Sequence, residues 1–158
     1  MGVTDRLASE VGTSKQGIIY TSGKLHIQNM CVGPSATDYS QVGDANTALL
    51  ASKTIYSVVG RVPKTGKVTR VIIRSEAAGV AGATIDILKA ASGTAISSGT
   101  AVVTQIAGNA ITSATDYTMT VVTTDASNVT AGSLIVCKIV GGGGETLKPL
   151  FVDVEITL

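Results

Sequence analysis

Aromatic residues are scarce in this chain: one Phe, four Tyr and no Trp among 158 residues. A glycan cleft usually offers aromatic platforms and single-stranded nucleic acid stacks on them, so both ligand classes lose their usual anchors. Charge is sparse and balanced, with 12 Lys and Arg against 11 Asp and Glu. The resulting +1 gives no global drive toward nucleic acid or an anionic membrane. No apolar run approaches the ~20 residues of a spanning helix. The opening "MGVTDRLASEV" has neither the basic start nor the apolar core of a signal peptide, so secretion through a cleaved leader is not expected. Histidine occurs once, at His26, with no GxSxG elbow to accompany it, which removes the usual frame of a hydrolase triad. The two cysteines, Cys31 and Cys137, form no CxxC pair and cannot hold zinc without other ligands. Cys137, inside "SLIVCKIV", reads as a small buried hydrophobe, and nothing in the sequence argues for a disulfide between the two.

What is abundant points one way. Hydrophobic residues make up 44% and charged residues 15%, which excludes disorder throughout. The apolar set is mostly Val, Ala and Ile, with many Gly, Thr and Ser between. Small and β-branched residues suit short strands joined by turns, and the length suits one domain with an extension.

Two regions differ in pattern. In residues 1–53, Val3, Leu7 and Val11 are four apart, as on one or two helical turns that dock on a partner. "GIIYTSGKLHIQNM" reads as a hairpin turning at Ser22-Gly23, with Leu25 and Ile27 alternating against His26 and Gln28. The following "CVGPSATDYSQVGDANT" is turn-forming. The segment has too little apolar content for its own core, so it is expected to be an arm that folds onto something or a mobile tail. Val3, Leu7, Val11, Ile18 and Ile19 are its candidate contact residues.

From Thr54 to Leu158 about seven strands follow one another with turn signals between them. "PKTG" turns the chain into "KVTRVIIRS", where strict alternation puts Val68, Arg70, Ile72 and Arg74 on one face and Thr69, Val71 and Ile73 on the other. The last run alternates Val152, Val154, Ile156 and Leu158 with Phe151, Asp153, Glu155 and Thr157. No long helical period interrupts these strands, which predicts an all-β sandwich or barrel.

The motifs of chemistry fail on inspection. Gly141 to Gly144 lie between two strands and lack the Lys-Ser/Thr and following helix of a phosphate loop. "GRVPKTGKV" has five residues between Gly60 and Gly66 where that loop needs four, and Val68 follows Lys67. Asp153 and Glu155 share a strand face, about 7 Å apart, and read as a solvated or salt-bridged face rather than a glycosidase pair. His26 reads as a surface or arm histidine. Arg61, Lys64, Lys67, Arg70 and Arg74 occur with no acidic residue among them. Either this strip steers a negative partner surface, or Arg70 and Arg74 pair across strands with Asp153 and Glu155. No enzyme, cofactor, metal, nucleic acid, membrane or small-molecule substrate is expected.

Two longer stretches are familiar. "GRVPKTGKVTRVIIRSEAAGVAGATIDILKA" resembles the opening of small β-sandwich modules of tailed-bacteriophage virions, in which a P-x-x-G-x-V turn leads into an alternating strand. A Gly/Ala loop, a T-I-D-I strand and a G-T-x-I piece follow. "NVTAGSLIVCKIVGGGGETLKPLFVDVEITL" is similar to their ending, with Ser133 where Asp is common. The resemblance covers residues 54–158 and leaves residues 1–53 as an arm. It implies a jelly-roll-like sandwich of about seven to eight strands, non-enzymatic and homotrimeric. It also implies a capsid decoration (cement) protein bound to the major capsid protein on the outer surface of the head, made in the host cytoplasm. The alternative it leaves open is a tail or head-fibre appendage for receptor or host-surface binding. The expected subunit or capsid interface adds Arg70, Ile72 and Arg74 to the arm residues.

Overall fold

The computed structural model describes residues 17–21, 23–31, 54–75, 78, 82–141 and 150–158. Among these residues the strands are β1 (Gly17–Thr21), β2 (Lys24–Cys31), β3 (Thr54–Arg61), β4 (Gly66–Ser75), β5 (Thr84–Ala90), β6 (Thr100–Ala101), β7 (Ile106–Ala107), β8 (Tyr117–Met119), β9 (Asn128–Val129), β10 (Leu134–Val140) and β11 (Leu150–Thr157). The first sheet has the order β1-β2-β11-β4-β8, with β9 also on β4. The second has the order β3-β10-β5-β6, with β7 also on β5. Leaving β1 aside, β2-β11-β4-β8 facing β3-β10-β5-β6 is the strand order of a jelly roll. The all-β sandwich expected from the sequence forms. Its strand number exceeds the expected seven to eight because β6 to β9 are only two or three residues long.

The core lies between the sheets. The first sheet contributes Leu25, Ile27, Val71, Ile73, Val152, Val154 and Ile156, and the second Ile85, Ile87, Ile135 and Ile139, all fully buried. In β11 the period-two pattern does this directly, with Leu150, Val152, Val154 and Ile156 inward; in β2 it does so at Leu25, Ile27 and Cys31, with Asn29 as the polar member of the series.

The expected hairpin is present, with Ile18 opposite Ile27 and Tyr20 opposite Leu25 and a turn at Gly23; Ser22 lies outside the described residues. Gly23 has φ 78°, a left-handed turn conformation that glycine adopts without strain. The hairpin does not stand off the sandwich as an arm, however. β2 pairs along its whole length with β11, from Cys31–Leu150 to Lys24–Thr157. A boundary at residue 53 drawn from composition therefore cuts through the first sheet. A segment too poor in apolar residues to fold alone is stabilised by lending alternate side chains to a shared core.

Two bulges adjust the pattern. In β4, Glu155 lies opposite Arg70 and Ile156 opposite Val68, which leaves Thr69 as the extra residue. Val68 is consequently buried with Val71 and Ile73, not outward with Arg70 as strict alternation predicts. In β3 the register shifts between Val58 and Gly60, opposite Val136 and Ile135. Beside it, Asn29 Nδ2 donates to Val58 O at 2.9 Å, tying the first sheet to the edge of the second. At the opposite side, Thr104 N donates to Thr120 O at 2.7 Å and Val122 N to Val102 O at 3.0 Å. These bonds close the gap between β8 and the β6–β7 side, which shields that edge from further pairing.

Val3, Leu7 and Val11 lie outside the described residues. Of the glycine run, Gly141 is buried just after β10, and residues 142–149 lie outside the described residues.

Candidate functional site: the outer face of the first sheet

The strand register arranges the outward side chains of the first sheet in cross-strand rows. Ile19 faces His26, His26 faces Glu155, and Glu155 faces Arg70. The next row runs Gln28, Asp153, Ile72 and Thr118. Phe151 and Arg74 are opposite each other in a third. Residues far apart in the chain thus become neighbours on one surface.

Its centre is polar and closely coupled. Lys24 Nζ donates to Glu155 Oε1 at 3.0 Å, and the Thr69 hydroxyl donates to the same oxygen at 2.9 Å. His26 Nδ1 lies 3.2 Å from Asp153 Oδ1, and its Nε2 lies 3.7 Å from Glu155 Oε2. Both ring nitrogens of the one histidine therefore face a carboxylate. The Asp153 and Glu155 side chains are only 15% and 10% exposed although they sit on the outer face. The hydrogen bond from Lys24 holds the Glu155 carboxyl below its ordinary range; partial burial opposes this, and Thr69 and His26 add to it.

The rim differs. Ile19 is 48% exposed, and Arg70 is exposed with Ile72 half-buried beside it. Arg74 reaches Asp116 at 3.6 Å, an ion pair whose side chains are both more than half exposed. Among the described residues Arg70 makes no ion pair. The carboxylates that the sequence offered to Arg70 and Arg74 are taken by Lys24 and His26 instead. Of the basic strip, Arg61 Nη1 donates to Gly132 O at 3.2 Å and acts as a local brace.

Arg70, Ile72 and Arg74 thus lie outward together as expected, and Ile19 shares their face. Ile18 does not: it is opposite Ile27 and packs against the core. The strand alternation of the hairpin separates these two neighbours. His26 lies on the outward surface of the sheet, and β2 places it beside the β11 carboxylates, a pairing not among the expectations from sequence. The matching alternation of "KLHIQ" and "VDVEI" carried a signal for this pairing, but only if the two strands were known to be adjacent.

The outer face of the second sheet has another character. Leu88, Ala90 and Val136 form a small buried cluster beneath Tyr56, Ile96 and Leu134. Asp86 lies on the same face, opposite Lys138, with Oδ1 buried and unpartnered. Burial pushes its carboxyl up, while Lys138 and a backbone hydrogen bond oppose the shift. A depression of about 220 Å³ is lined by Lys89, Ala91, Thr94, Ser98 and Thr130 among others. Lys89 donates to the Asp125 and Asn128 carbonyls, so its charge is spent on holding that loop.

Comparison with known proteins finds no matching family model, no similar curated protein and no similar solved structure.

Proposed function

We propose that this chain is a non-enzymatic virion structural protein, a decoration protein that binds the outer surface of a tailed-phage head and stabilises it as a homotrimer. The observation that carries the reading is the outer face of the first sheet. It sets Ile72 between Arg70, which makes no ion pair among the described residues, and the loosely paired Arg74, with exposed Ile19 on the edge strand of the same face. The central carboxylates are meanwhile engaged within the chain by Lys24 and His26. Such a face presents cationic and apolar contacts to a partner while its central carboxylates already have partners of their own. The resemblance of residues 54–158 to phage β-sandwich modules supplies the partner class, and the jelly-roll strand order accords with it. Binding across neighbouring shell subunits would stabilise the lattice by mass action, and three linked copies would raise avidity beyond a single contact.

The test uses capsids stripped of the protein. Light scattering should give the mass of three chains. Added wild-type protein should bind the heads and raise the temperature at which they break. Arg70→Glu combined with Ile72→Asp should weaken binding at least about tenfold, the equivalent of 1.4 kcal/mol. A stable monomer that neither binds nor protects heads refutes the reading. Binding confined to tails or fibres replaces it with the appendage alternative.

A further inference from the structure

Cys31 and Cys137 belong to different sheets, yet they occupy one core. Cys31 ends β2 on the inward face shared by Leu25 and Ile27. Cys137 lies in the middle of β10 between Ile135 and Ile139, on the inward face of the second sheet. Both are fully buried and free, and hydrogen bonding to the Cys31 thiol together with burial pushes the Cys137 thiol well above its ordinary range. The sheets are drawn together on this side of the sandwich. Asn29, two residues before Cys31 and on the same face, reaches the Val58 carbonyl, and Val58 pairs with Val136 beside Cys137. Gly60, lacking a Cβ, lets Ile27 approach the β3 backbone. The wide spacing typical of face-packed sheets, about 10 Å, is thus reduced between β2 and β3, and β3 is the strand that pairs with Cys137 through Ser57.

We propose that Cys31 and Cys137 form an inter-sheet disulfide when the protein folds in the presence of a small disulfide oxidant such as glutathione disulfide. One thiol loses its proton and attacks the oxidant, which releases one glutathione thiolate and leaves a mixed disulfide. The second protein thiolate then displaces the other glutathione, and the protein S–S bond forms. Two protein thiols give up two protons and two electrons, and one glutathione disulfide becomes two glutathione molecules. The closed loop spans about 100 residues, so the bond restricts the unfolded chain over most of its length. It also fastens the N-terminal hairpin to the second sheet. Burial shields the pair from reagents in the folded state, so the bond forms during folding or on opening and then resists reduction.

The competing account is that two small apolar side chains merely fill the core. The test refolds the wild-type chain from denaturant in a glutathione redox buffer and, separately, in excess reductant. Under denaturing, non-reducing conditions the oxidised product should run as a single un-cross-linked chain, 2 Da lighter, in which iodoacetamide added after unfolding labels neither cysteine. Its Tm should exceed that of the reduced form by about 10 °C and fall back after unfolding in reductant. Cys31→Ala and Cys137→Ala should each show no redox-dependent Tm. Full labelling of both thiols after oxidative refolding overturns the proposal, as do cross-links only between chains. An intramolecular bond that lowers Tm overturns it equally. The wild-type measurements decide the matter even if a variant fails to fold.

Discussion

Gly60 offers a direct test of whether the N-terminal hairpin is part of the core. It is buried on β3 at the bulge, and a Cβ built there would collide with Ile27 Cγ2 on β2. Its need is for space between the sheets, since its backbone is not left-handed. Overpacking of this kind costs about 1–3 kcal/mol. Alanine recovers about 0.5–1 kcal/mol through its smaller conformational entropy. A net loss of about 1–2 kcal/mol is therefore expected for Gly60→Ala. Ile27→Ala, at a fully buried position, should cost about 2–5 kcal/mol. In the double variant the new methyl enters the space that Ile27 vacated. Its destabilisation should fall short of the sum by at least about 1 kcal/mol. Urea titrations with a common m-value measure each term, and Tm should follow at about 2–4 °C per kcal/mol. Additivity within about 0.5 kcal/mol would falsify the close contact between β2 and β3. It would return the hairpin to the status of a detached arm.

The remaining expectations bear on the same sheet and on the two perturbed carboxyls. Deleting residues 1–31 removes buried Leu25, Ile27 and Cys31, the two aliphatic side chains worth about 1.5–3 kcal/mol each, and leaves β11 as an unprotected edge. The truncated chain should aggregate or lose cooperative unfolding by circular dichroism, and a Tm equal to that of the full chain would contradict the assignment. Glu155 has a depressed folded pKa, so its contribution is present above the unfolded value of about 4.3 and disappears as pH falls through the folded value. Stability curves of wild type and Glu155→Gln should converge in acid and separate toward neutrality, with the wild type more stable; parallel curves would remove Glu155 from this role. Asp86 has the opposite sign, because its raised folded pKa makes the unfolded chain ionise first. Wild-type stability should therefore fall relative to Asp86→Asn as pH rises from about 3.9 through the folded value, and a constant difference across that range would show that Asp86 is not strained by burial.

Local pattern made most of the strands legible. "TIYSVVGR", "TIDILKA", "LIVCKIV" and the final "LFVDVEIT" occupy the expected positions because β-branched alternation and bordering turns are local properties. The placement of the hairpin was not legible, since pairing of Lys24–Cys31 with Leu150–Thr157 joins residues more than a hundred positions apart. Composition alone made residues 1–53 look like a separate unit. The same long separation concealed the polar centre. His26 was visible as an isolated histidine and Asp153 and Glu155 as an ordinary strand face; only the sheet order brings them within reach of each other. In "DYTMTVVTT" the β-rich run yields just Tyr117–Met119 as strand. The chain there leaves the first sheet to bond residues 102–104, where tertiary closure prevails over local propensity.

The bulge at Thr69 links the fold to the candidate site. A regular β4 would send Val68 outward with Arg70 and Ile72, and would turn a fully apolar side chain away from Ile156. With one extra residue opposite the Glu155–Ile156 step, Val68 meets Ile156 in the core while Val71 and Ile73 remain inward. The residue left over is polar, and it is turned to the outer face next to Arg70. There its hydroxyl donates to Glu155 at 2.9 Å and lies 3.2 Å from that of Thr157. Glu155 thus gains a second donor beside Lys24, and Arg70 remains on the surface with no ion pair among the described residues. The irregularity that keeps three β4 side chains in the core is also what completes the polar centre by giving Glu155 a second donor in place of Arg70. A departure from strict alternation is expected at such a place, where packing and surface chemistry make different demands on the same strand.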